Sequence, residues 1–366
     1  MNSILSIKGF EYLFLLLFSF LLTFLLIPLV VNLGEYYGFV DKPSYRKNHN
    51  IPRVRIGGLA IFISYILISF FYFNFISTNS LNPGNPFLTI LFIGTFASFV
   101  IGIVDDLFIL QAYPRLIMLT LVAIFTWYYG FTIQIIDIPF IFNTYNIPLL
   151  LSIIINIFWY VGITNSINWM DGLDGLASAI GIISLFGLII IFFQNGKINE
   201  AKITLILIGS ILGFFIQNIK AKNIFMGDGG SYLIGYNLAF LSIYAGKYNP
   251  NDLITSAQSL NLLFPFLLLT LPILDMTNVI FTRIRIKRSP FSSDRLHIHH
   301  KLLDSGLSQK NTLISLILFH QWFTLLALYY LDIFSNKIIL LISTLVFFLT
   351  IYFSKVSKSY FSGHEG

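Results

Sequence analysis

Long apolar segments recur along the whole sequence. A helix needs roughly 20 mostly apolar residues to cross a bilayer core of about 30 Å. Eleven segments meet this requirement, at about residues 10–32, 56–78, 87–104, 114–132, 147–164, 176–194, 201–219, 231–247, 259–281, 311–331 and 336–354. Backbone polar groups find no water inside lipid, so each segment is expected to be helical. The sequence therefore predicts an all-α integral membrane protein, a polytopic bundle of about 11 transmembrane helices.

The composition supports this fold class. Of the 366 residues, 56% are hydrophobic and only 10% are charged, whereas about a quarter of the residues of soluble domains are charged. Apolar surface in this amount indicates contact with lipid and not merely a large core. The sequence contains no cysteine, which excludes disulfides and thiolate metal sites.

The basic residues are unevenly divided between the loops. If the N-terminus lies outside, the segments on the cytoplasmic side contain 17 of the 22 Lys and Arg residues, and the opposite segments contain 5. The positive-inside rule then predicts an outside N-terminus and a cytoplasmic C-terminus. No linker or internal repeat divides residues 1–366, which are expected to form one domain. Its cytoplasmic loops are expected at residues 33–55, 105–115, 165–175, 218–230 and 282–311.

Five acidic residues lie at the cytoplasmic ends of predicted helices: Asp105, Asp106, Asp171, Asp174 and Asp228. Acids near membrane depth are costly to ionise and are candidates for a functional site. Taken singly, Asp105-Asp106 could end a helix in solvent, and the glycine-flanked Asp228 could belong to a plain turn. Together the carboxylates would repel one another without a cation. Mg²⁺ suits such a site, since it prefers oxygen ligands and retains positions for water and phosphate.

Polar residues recur at every third position in one of these loops, at Asn165, Asn168, Asp171 and Asp174. On a helix this spacing drifts by about 60° per step, so the four side chains wrap around half a turn. Such a row surrounds a ligand better than it packs flat against a neighbouring helix. The glycines that follow would break the helix and allow a close approach of the backbone.

Two cytoplasmic loops are basic. The first contains Arg46, His49 and Arg53, and the late loop contains Arg295, His297, His299, His300 and Lys301. Basic residues beside a membrane commonly contact lipid headgroups. Three histidines within four residues could bind a metal or phosphate, and their cationic neighbours favour phosphate. Carboxylates with a metal, together with separate cationic loops, are typical of phosphoryl transfer.

These motifs, taken together, resemble the polyprenyl-phosphate N-acetylhexosamine-1-phosphate transferase family, a bacterial glycosyltransferase family 4. The matching motifs keep the family's order from about residue 41 to 310: Asp41-Lys42-Pro43 with Arg46-Lys47, His49, Pro52-Arg53 and Gly57-Gly58; Asp105-Asp106; Asn165-Ser166-Ile167-Asn168 with Asp171-Gly172-Leu173-Asp174-Gly175-Leu176; Phe225-Met226-Gly227-Asp228-Gly229-Gly230-Ser231; and His297-Ile298-His299-His300. The last motif resembles the branch that primes O-antigen, teichoic acid and related glycans. Two positions depart from the family pattern, with Arg115 in place of a usual Lys and Leu119 in place of a usual Gln.

The resemblance implies a Mg²⁺-dependent enzyme of the bacterial cytoplasmic (inner) membrane, with Mn²⁺ as an alternative metal. A polyprenyl phosphate, expected to be undecaprenyl phosphate, would attack the β-phosphorus of a UDP-N-acetylhexosamine. UMP would leave, and the lipid-linked sugar would initiate lipopolysaccharide or another cell-surface polysaccharide. UDP-GlcNAc is the expected donor, with UDP-GalNAc and modified hexosamines left open. No nucleic-acid partner is expected, and both a homodimer and a covalent intermediate on an Asp are left open.

The resemblance also implies roles for individual residues. Asp228 would bind Mg²⁺ with Asp105 and Asp106 close to the metal, and Asp105 would activate the acceptor. These three residues and His299 form the predicted catalytic set. The predicted substrate-binding residues are Asn165, Asn168, Asp171 and Asp174 for the nucleotide, His297, His300 and Arg295 with His299 for the diphosphate and sugar, Arg46, His49 and Arg53 for phosphate or the lipid head, and Arg115 and Asn218.

Two other functions were weighed against the transferase. A multi-span transporter could have a carboxylate-lined cytoplasmic mouth, but transporters usually hold their acids near the midplane, often within internal repeats. An intramembrane aspartyl protease would need a second Asp opposite Asp228 to share a proton. Asp275 is the candidate for that second Asp, and the histidine loop would then have no role.

Overall fold

The computed structural model describes residues 2–41, 52–76, 86–137, 144–221, 223–246, 260–261, 263–292, 294–331 and 344. Helices dominate this part of the chain. They are α1 (Asn2–Tyr36), α2 (Gly58–Phe71, continued by a π-helical turn Tyr72–Ile76), α3 (Pro86–Phe108), α4 (Ala112–Tyr128), α5 (Leu149–Met170), α6 (Leu176–Gln194), α7 (Ile198–Ala221), α8 (Gly227–Gly246), α9 (Leu263–Leu268), α10 (Thr270–Arg285), α11 (Ile298–Asp304) and α12 (Gln309–Tyr330).

Five short strands accompany the helices within the described ranges. β1 (Val40–Asp41) pairs antiparallel with β2 (Arg53–Val54), so that Val40 faces Val54. β3 (Ile135–Asp137) pairs antiparallel with β4 (Thr144–Asn146) and parallel with β5 (Leu260–Asn261). These strands of two or three residues connect loops by backbone hydrogen bonds, and the fold remains predominantly helical.

Seven helices of the described part are long and apolar enough to cross a membrane: Gly9–Tyr36, Gly58–Ile76, Pro86–Phe108, Leu149–Met170, Leu176–Gln194, Ile198–Lys220 and Gln309–Tyr330. Each coincides with a predicted apolar segment, which confirms an all-α polytopic membrane protein. Segment 114–132 corresponds to the shorter α4, and segment 259–281 corresponds to α9 and α10, which are separated at Leu269. Segment 336–354 lies outside the described residues apart from Thr344. The count of eleven spans and the outside N-terminus stay predictions.

Helix α8 lies at the centre of the bundle. It contains several polar residues, yet nearly all of its residues are buried among α2, α3, α5 and α6. Asn237 in its interior is paired: the side-chain amide donates to Thr95 Oγ1 (3.0 Å), and the side-chain carbonyl accepts from Tyr65 Oη (3.1 Å). A helix that is shielded from lipid can carry such groups, provided that they are satisfied. The central position explains the polar sequence of this segment.

Glycines bring two helices close to the first turn of α8. A Cβ atom on Gly58 of α2 would collide with the backbone of Gly230, and one on Gly102 of α3 would collide with the backbone of Asp228. Only a residue without a side chain fits at either place. The end of α3 that carries Asp105 and Asp106 is therefore held directly against the start of α8.

The first cytoplasmic loop is joined to the segment that leads into α8. Val54 and Ile224 form a parallel β-bridge, and the Phe225 N–H donates to the Val54 carbonyl at 2.7 Å. The Gly58 N–H likewise donates to the Met226 carbonyl at 2.7 Å. Through these backbone bonds Arg53 is placed beside the acidic clusters.

Candidate active site

The three acidic clusters predicted from the sequence meet at one end of the bundle. Asp105 and Asp106 end α3, Asp171 and Asp174 follow α5, and Asp228 begins α8. Asp171 interacts electrostatically with both Asp228 and Asp106, which places the three clusters in one site. Helix ends deliver all of these side chains, so the site lies at the edge of the bundle and not at its middle.

Asp106 caps helix α8. Its Oδ1 accepts the Asp228 N–H at 2.9 Å, and its Oδ2 accepts the Gly229 N–H at 3.0 Å. The first N–H groups of a helix lack partners within the helix, and a carboxylate there also faces the positive end of the helix dipole. Gly227 precedes this turn with a positive φ of 73°. The capping bonds fix the backbone that presents the Asp228 side chain.

Asp105 and Asp228 lie side by side, with Arg115 between their outer oxygens. Arg115 Nη1 contacts Asp105 Oδ2 at 2.5 Å and Asp228 Oδ2 at 3.8 Å. The other Asp105 oxygen accepts the Leu110 N–H at 2.8 Å. The other Asp228 oxygen accepts from the Asn168 amide at 2.6 Å. Each carboxylate is thus oriented by a second group, which fixes where its charge points.

The loop 171–175 is clamped from both sides. Arg53 Nη1 contacts the two oxygens of Asp174 at 2.8 and 3.0 Å, and this ion pair is largely buried. The Gly175 N–H donates to Asn218 Oδ1 at 2.7 Å, and the Asn218 amide donates to the Ile224 carbonyl at 2.8 Å. Asn218 was predicted to bind substrate, but both ends of its amide hold the backbone of the site.

Asp171 differs from its neighbours in the loop. Burial raises the pKa of Asp171 well above its usual value, and the nearby charges of Asp228, Asp106 and Asp174 act in the same direction. A carboxyl in such surroundings ionises readily only when a cation or a cationic group joins it. The site therefore favours a ligand that brings positive charge to the acidic cluster.

Helix α11 presents His299 to this loop. His299 is only 1% exposed, and neither of its ring nitrogens has a hydrogen-bond partner within the described residues. A Cβ atom on Gly172 would lie 2.5 Å from His299 Nε2, so the ring faces the loop directly. Burial lowers the pKa of His299 to about 3, helped by His300 and His297, and burial also lowers the pKa of His300. His299 is a neutral imidazole at pH 7, free to bond a ligand.

The remaining predicted residues lie in different surroundings. The side chain of Arg295 is half exposed and contacts Asp304 at 2.8 Å, on the outside of α11. Asn165 is buried and lines a cavity that borders the site. Arg46 and His49 lie outside the described residues.

An apolar cavity of about 550 Å³ opens beside the acidic cluster. Its walls come from α4, α5, α10 and the late loop, and include Leu116, Ile157, Phe158, Val161, Met276, Ile280 and Phe291. Its polar lining includes Arg115, Asn165 and His297. The cavity thus combines an apolar body with a cationic and amide-bearing end, and Arg115 joins it to Asp105 and Asp228.

The comparisons with known proteins agree with this arrangement. Residues 88–246 match Glycosyl transferase family 4. A Bacillus subtilis protein named as a probable undecaprenyl-phosphate N-acetylglucosaminyl 1-phosphate transferase is 32% identical over 302 residues, which are 81% of this chain and 79% of that protein. The chain belongs to the polyprenyl-phosphate N-acetylglucosaminyl-1-phosphate transferase family.

Two further relatives of this transferase bear related names. An undecaprenyl-phosphate alpha-N-acetylglucosaminyl 1-phosphate transferase of Yersinia pestis is 25% identical over 84% of this chain and 80% of its own length. A decaprenyl-phosphate N-acetylglucosaminephosphotransferase of Mycobacterium leprae is 38% identical over 42% of each chain. The family match over residues 88–246 runs from α3 to α8 and so contains every predicted acidic residue of the site.

The donor atoms of the transferase suit a hard cation. Within the described part of the chain, no three Asp, Glu or His side chains are already arranged around a metal position. Mg²⁺ does not require such a cage, because it is commonly held by one or two carboxylates together with substrate phosphates. Asp105 and Asp228 both contact Arg115 Nη1, at 2.5 and 3.8 Å, and such a pair of oxygen donors fits Mg²⁺. Both oxygens of Asp106 accept backbone N–H groups at the start of the helix that carries Asp228.

Sequence reasoning missed two residues that orient the late loop of the transferase. Asp275, buried in α10, is hydrogen-bonded to His297 Nδ1 at 2.7 Å and accepts the Ile298 N–H at 2.7 Å. Arg283 contacts both oxygens of Asp294 and lies over the Trp169 ring at 5.0 Å. An acid inside an apolar segment was the available signal for Asp275, which had been weighed only as a second protease aspartate.

Proposed function

We propose that this chain transfers N-acetylglucosamine-1-phosphate from UDP-N-acetylglucosamine to a polyprenyl phosphate, and releases UMP. The names of the relatives support this reaction and give no support to the transporter alternative. The observation that carries the proposal is the apolar cavity that ends at Arg115, beside Asp105 and Asp228. Such a shape suits a substrate with an isoprenoid tail and a phosphate head.

The cavity is assigned to the lipid acceptor. Its aliphatic and aromatic walls would cover the first isoprene units, since apolar surface is stabilised by about 25 cal/mol for each Å² removed from water. Arg115 stands at the polar end, where a guanidinium binds phosphate oxygens strongly. Undecaprenyl phosphate is the proposed acceptor.

The reaction requires alignment more than proton transfer. A phosphate monoester is largely doubly ionised near neutral pH, since its second pKa is about 6. One of its oxygens forms a bond to the β-phosphorus of the donor, and the bond from that phosphorus to the oxygen of the UMP phosphate breaks. Asp105 is proposed to orient the acceptor through Arg115, which keeps the attacking oxygen in line.

Asp228 and Asp105 would hold Mg²⁺, which supplies charge neutralisation on the diphosphate of the donor. The protein contributes the fixed geometry: Asp106 holds the backbone of Asp228, and Asn168 orients its carboxylate. Preorganised groups of this kind need no rearrangement as charge develops, which is a main source of catalysis.

The donor is proposed to lie between the loop 171–175 and α11. His299 faces this loop with both nitrogens unpaired within the described residues, and it is neutral at pH 7. A neutral imidazole can donate one hydrogen bond to a phosphate or sugar oxygen without adding charge. Asp171 belongs to this loop and Asn168 lies just before it, and both are proposed to contact the nucleotide together with Asn165, which lines the neighbouring cavity.

The active site is proposed to face the cytoplasm, where a nucleotide sugar is available. The positive-inside distribution of Lys and Arg supports this orientation in a bacterial inner membrane. The lipid-linked product would then start the synthesis of a cell-surface polysaccharide.

The test is UMP release by the purified protein in detergent, with undecaprenyl phosphate, Mg²⁺ and a panel of UDP-sugars. We expect release with UDP-GlcNAc only when both lipid and metal are present, loss of release in EDTA, and a fall of at least about a thousandfold for Asp228→Asn. Glu35→Gln, which alters an exposed carboxylate on α1, serves as the matched control and should keep full activity. A folded, lipid-supplied sample that releases no UMP from any donor would overturn the proposal.

A further inference from the structure

Tyr232 lies one helical turn after Asp228 on α8. Its side chain is fully buried, and its ring contacts Ile101 and Leu119. It nevertheless interacts electrostatically with Asp228 and with Arg115. The hydroxyl of this tyrosine therefore reaches the polar cluster from within an apolar wall, although the sequence motifs gave it no role.

Two neighbouring donors of this wall lack acceptors. Neither Tyr232 Oη nor Arg115 Nε has a hydrogen-bond partner among the described residues, and both atoms are buried. A buried polar group without a partner costs about 1–3 kcal/mol, and most such groups in proteins are paired. Tyr232 and Arg115 interact electrostatically, so both unpaired donors belong to the same end of the site, where a ligand oxygen would supply an acceptor.

The arrangement of Arg115 shows from which side that acceptor would come. Its Nη1 atom is already engaged by Asp105 and Asp228, whereas the residue also lines the apolar cavity. A guanidinium is a planar fork that can bind two partners along different edges. Leu119 and Ile101 offer only apolar side chains around the Tyr232 ring. Tyr232 is not among the residues that line the cavity, so an oxygen of the molecule that fills it would reach this tyrosine beside Arg115.

We propose that Tyr232 is a substrate-binding residue whose hydroxyl donates, together with Arg115 Nε–H, to an oxygen of the acceptor phosphate. This inference rests on the proposed function, because it takes the occupant of the cavity to be a polyprenyl phosphate. The paired donors hold the phosphate of the lipid and have no contact with the diphosphate of the nucleotide sugar. Tyr232 is thus a determinant of acceptor affinity.

The test compares Tyr232→Phe with Tyr236→Phe. Tyr236 lies one turn further along α8, is equally buried, and has a hydroxyl already bonded to Thr126 at 3.0 Å. Steady-state kinetics would vary undecaprenyl phosphate and UDP-GlcNAc separately, with UMP as the readout. Tyr232→Phe should lower kcat/KM for the lipid by about tenfold to a hundredfold, mainly through KM, and should leave KM for UDP-GlcNAc unchanged. Tyr236→Phe should leave both KM values unchanged, whatever its effect on Tm.

A double-mutant cycle with Arg115→Lys distinguishes a shared contact with the lipid phosphate from a purely structural role of Tyr232. Lys retains the charge but lacks Nε–H, so the two substitutions should be non-additive in kcat/KM for the lipid. Thermal shifts with farnesyl phosphate, farnesol and inorganic phosphate provide a binding measurement that does not depend on turnover. Farnesyl phosphate should stabilise the wild type more than farnesol does, and Tyr232→Phe should remove that difference.

The outcomes separate this inference from the proposed function. Wild-type protein that releases no UMP would contradict the function itself. Active wild type with an unchanged lipid KM in Tyr232→Phe, or with a raised KM for UDP-GlcNAc instead, would overturn the inference alone. Additive effects of Tyr232→Phe and Arg115→Lys would overturn it as well.

Discussion

The carboxylate of Asp106 accepts the backbone N–H groups of Asp228 and Gly229 at 2.9 and 3.0 Å. The second acid of the Asp105-Asp106 pair therefore serves the helix that carries the proposed metal ligand. The two neighbouring aspartates have different contacts. Asp105 pairs with Arg115 beside Asp228, whereas Asp106 caps the first turn of α8.

Asp106→Asn is expected to weaken this anchor. Asn offers one carbonyl oxygen in place of two carboxylate oxygens, so one capping bond is lost, at about 1–3 kcal/mol. Tm should fall and kcat should drop, while the Mg²⁺ concentration for half-maximal activity changes less than in Asp228→Asn. Thermal melts and Mg²⁺ titrations measure both quantities. An equally large shift in the Mg²⁺ requirement would identify Asp106 as a direct ligand instead.

A second prediction concerns the contribution of the buried ion pair between Arg53 and Asp174 to stability. Removing one partner leaves a buried charge without compensation, which costs about 3–5 kcal/mol. Arg53→Met should therefore lower Tm markedly, and Arg53→Met with Asp174→Asn should recover part of the loss. Additive losses in the double variant would show that the pairing contributes nothing to stability.

His299 predicts a pH dependence of stability. Its pKa is about 3 in the folded protein, lowered mainly by burial, against 6.5 for an ordinary histidine. Above pH 6.5 both states are neutral at this residue, and its effect vanishes. Between pH 6.5 and about 3 mainly the unfolded state binds the proton, so stability falls as the pH falls, by about 1.4 kcal/mol at pH 5.5.

Thermal melts of wild type and His299→Gln at pH 7.5 and 5.5 measure this effect. The wild type should lose more stability than the variant between the two pH values. Equal losses would mean that another group dominates the acid sensitivity.

A fourth prediction concerns the cavity. Gly162 is one of its lining residues, and a Cβ atom there would meet only the end of Met276, at 3.5 Å. Gly162→Leu should fill part of the cavity and raise KM for undecaprenyl phosphate by about tenfold or more, with Tm retained, because Leu favours a helix over Gly. The matched control is Gly9→Leu on α1, where a Cβ atom meets nothing within 4 Å. An unchanged lipid KM in Gly162→Leu would place the acceptor elsewhere.

The sequence was sufficient to predict the helical membrane fold and the meeting of the acids at one end. The physical reason is that each end of a membrane-spanning helix must lie at one of the two faces of the bilayer. The predicted topology therefore puts Asp105 and Asp228 at the same face without any knowledge of how the helices pack. The central place of α8 was beyond that reasoning. Its polar residues look unfavourable until the surrounding helices that shield them are known.

Side-chain partners could not be predicted in the same way. The charges of Arg53 and Arg295 were visible, but their pairing with Asp174 and Asp304 depends on the path of the loops. The cavity was also hidden, because it is formed between α4, α5 and α10 and has no local pattern in the sequence. The hydrogen bond between Asp275 and His297 likewise joins α10 to the late loop, and the path of the chain between them has no regular pattern in the sequence.

The parallel bridge between Val54 and Ile224 has a consequence for biosynthesis. The ribosome completes the first cytoplasmic loop long before it reaches the segment that leads into α8, and membrane helices are made in order at about 5–20 residues per second. Until that late segment emerges, Val54 lacks its bridge partner Ile224, and Asp228 does not yet exist. The nascent chain therefore cannot complete the acidic cluster, which forms only after the central helix α8 has entered the bundle.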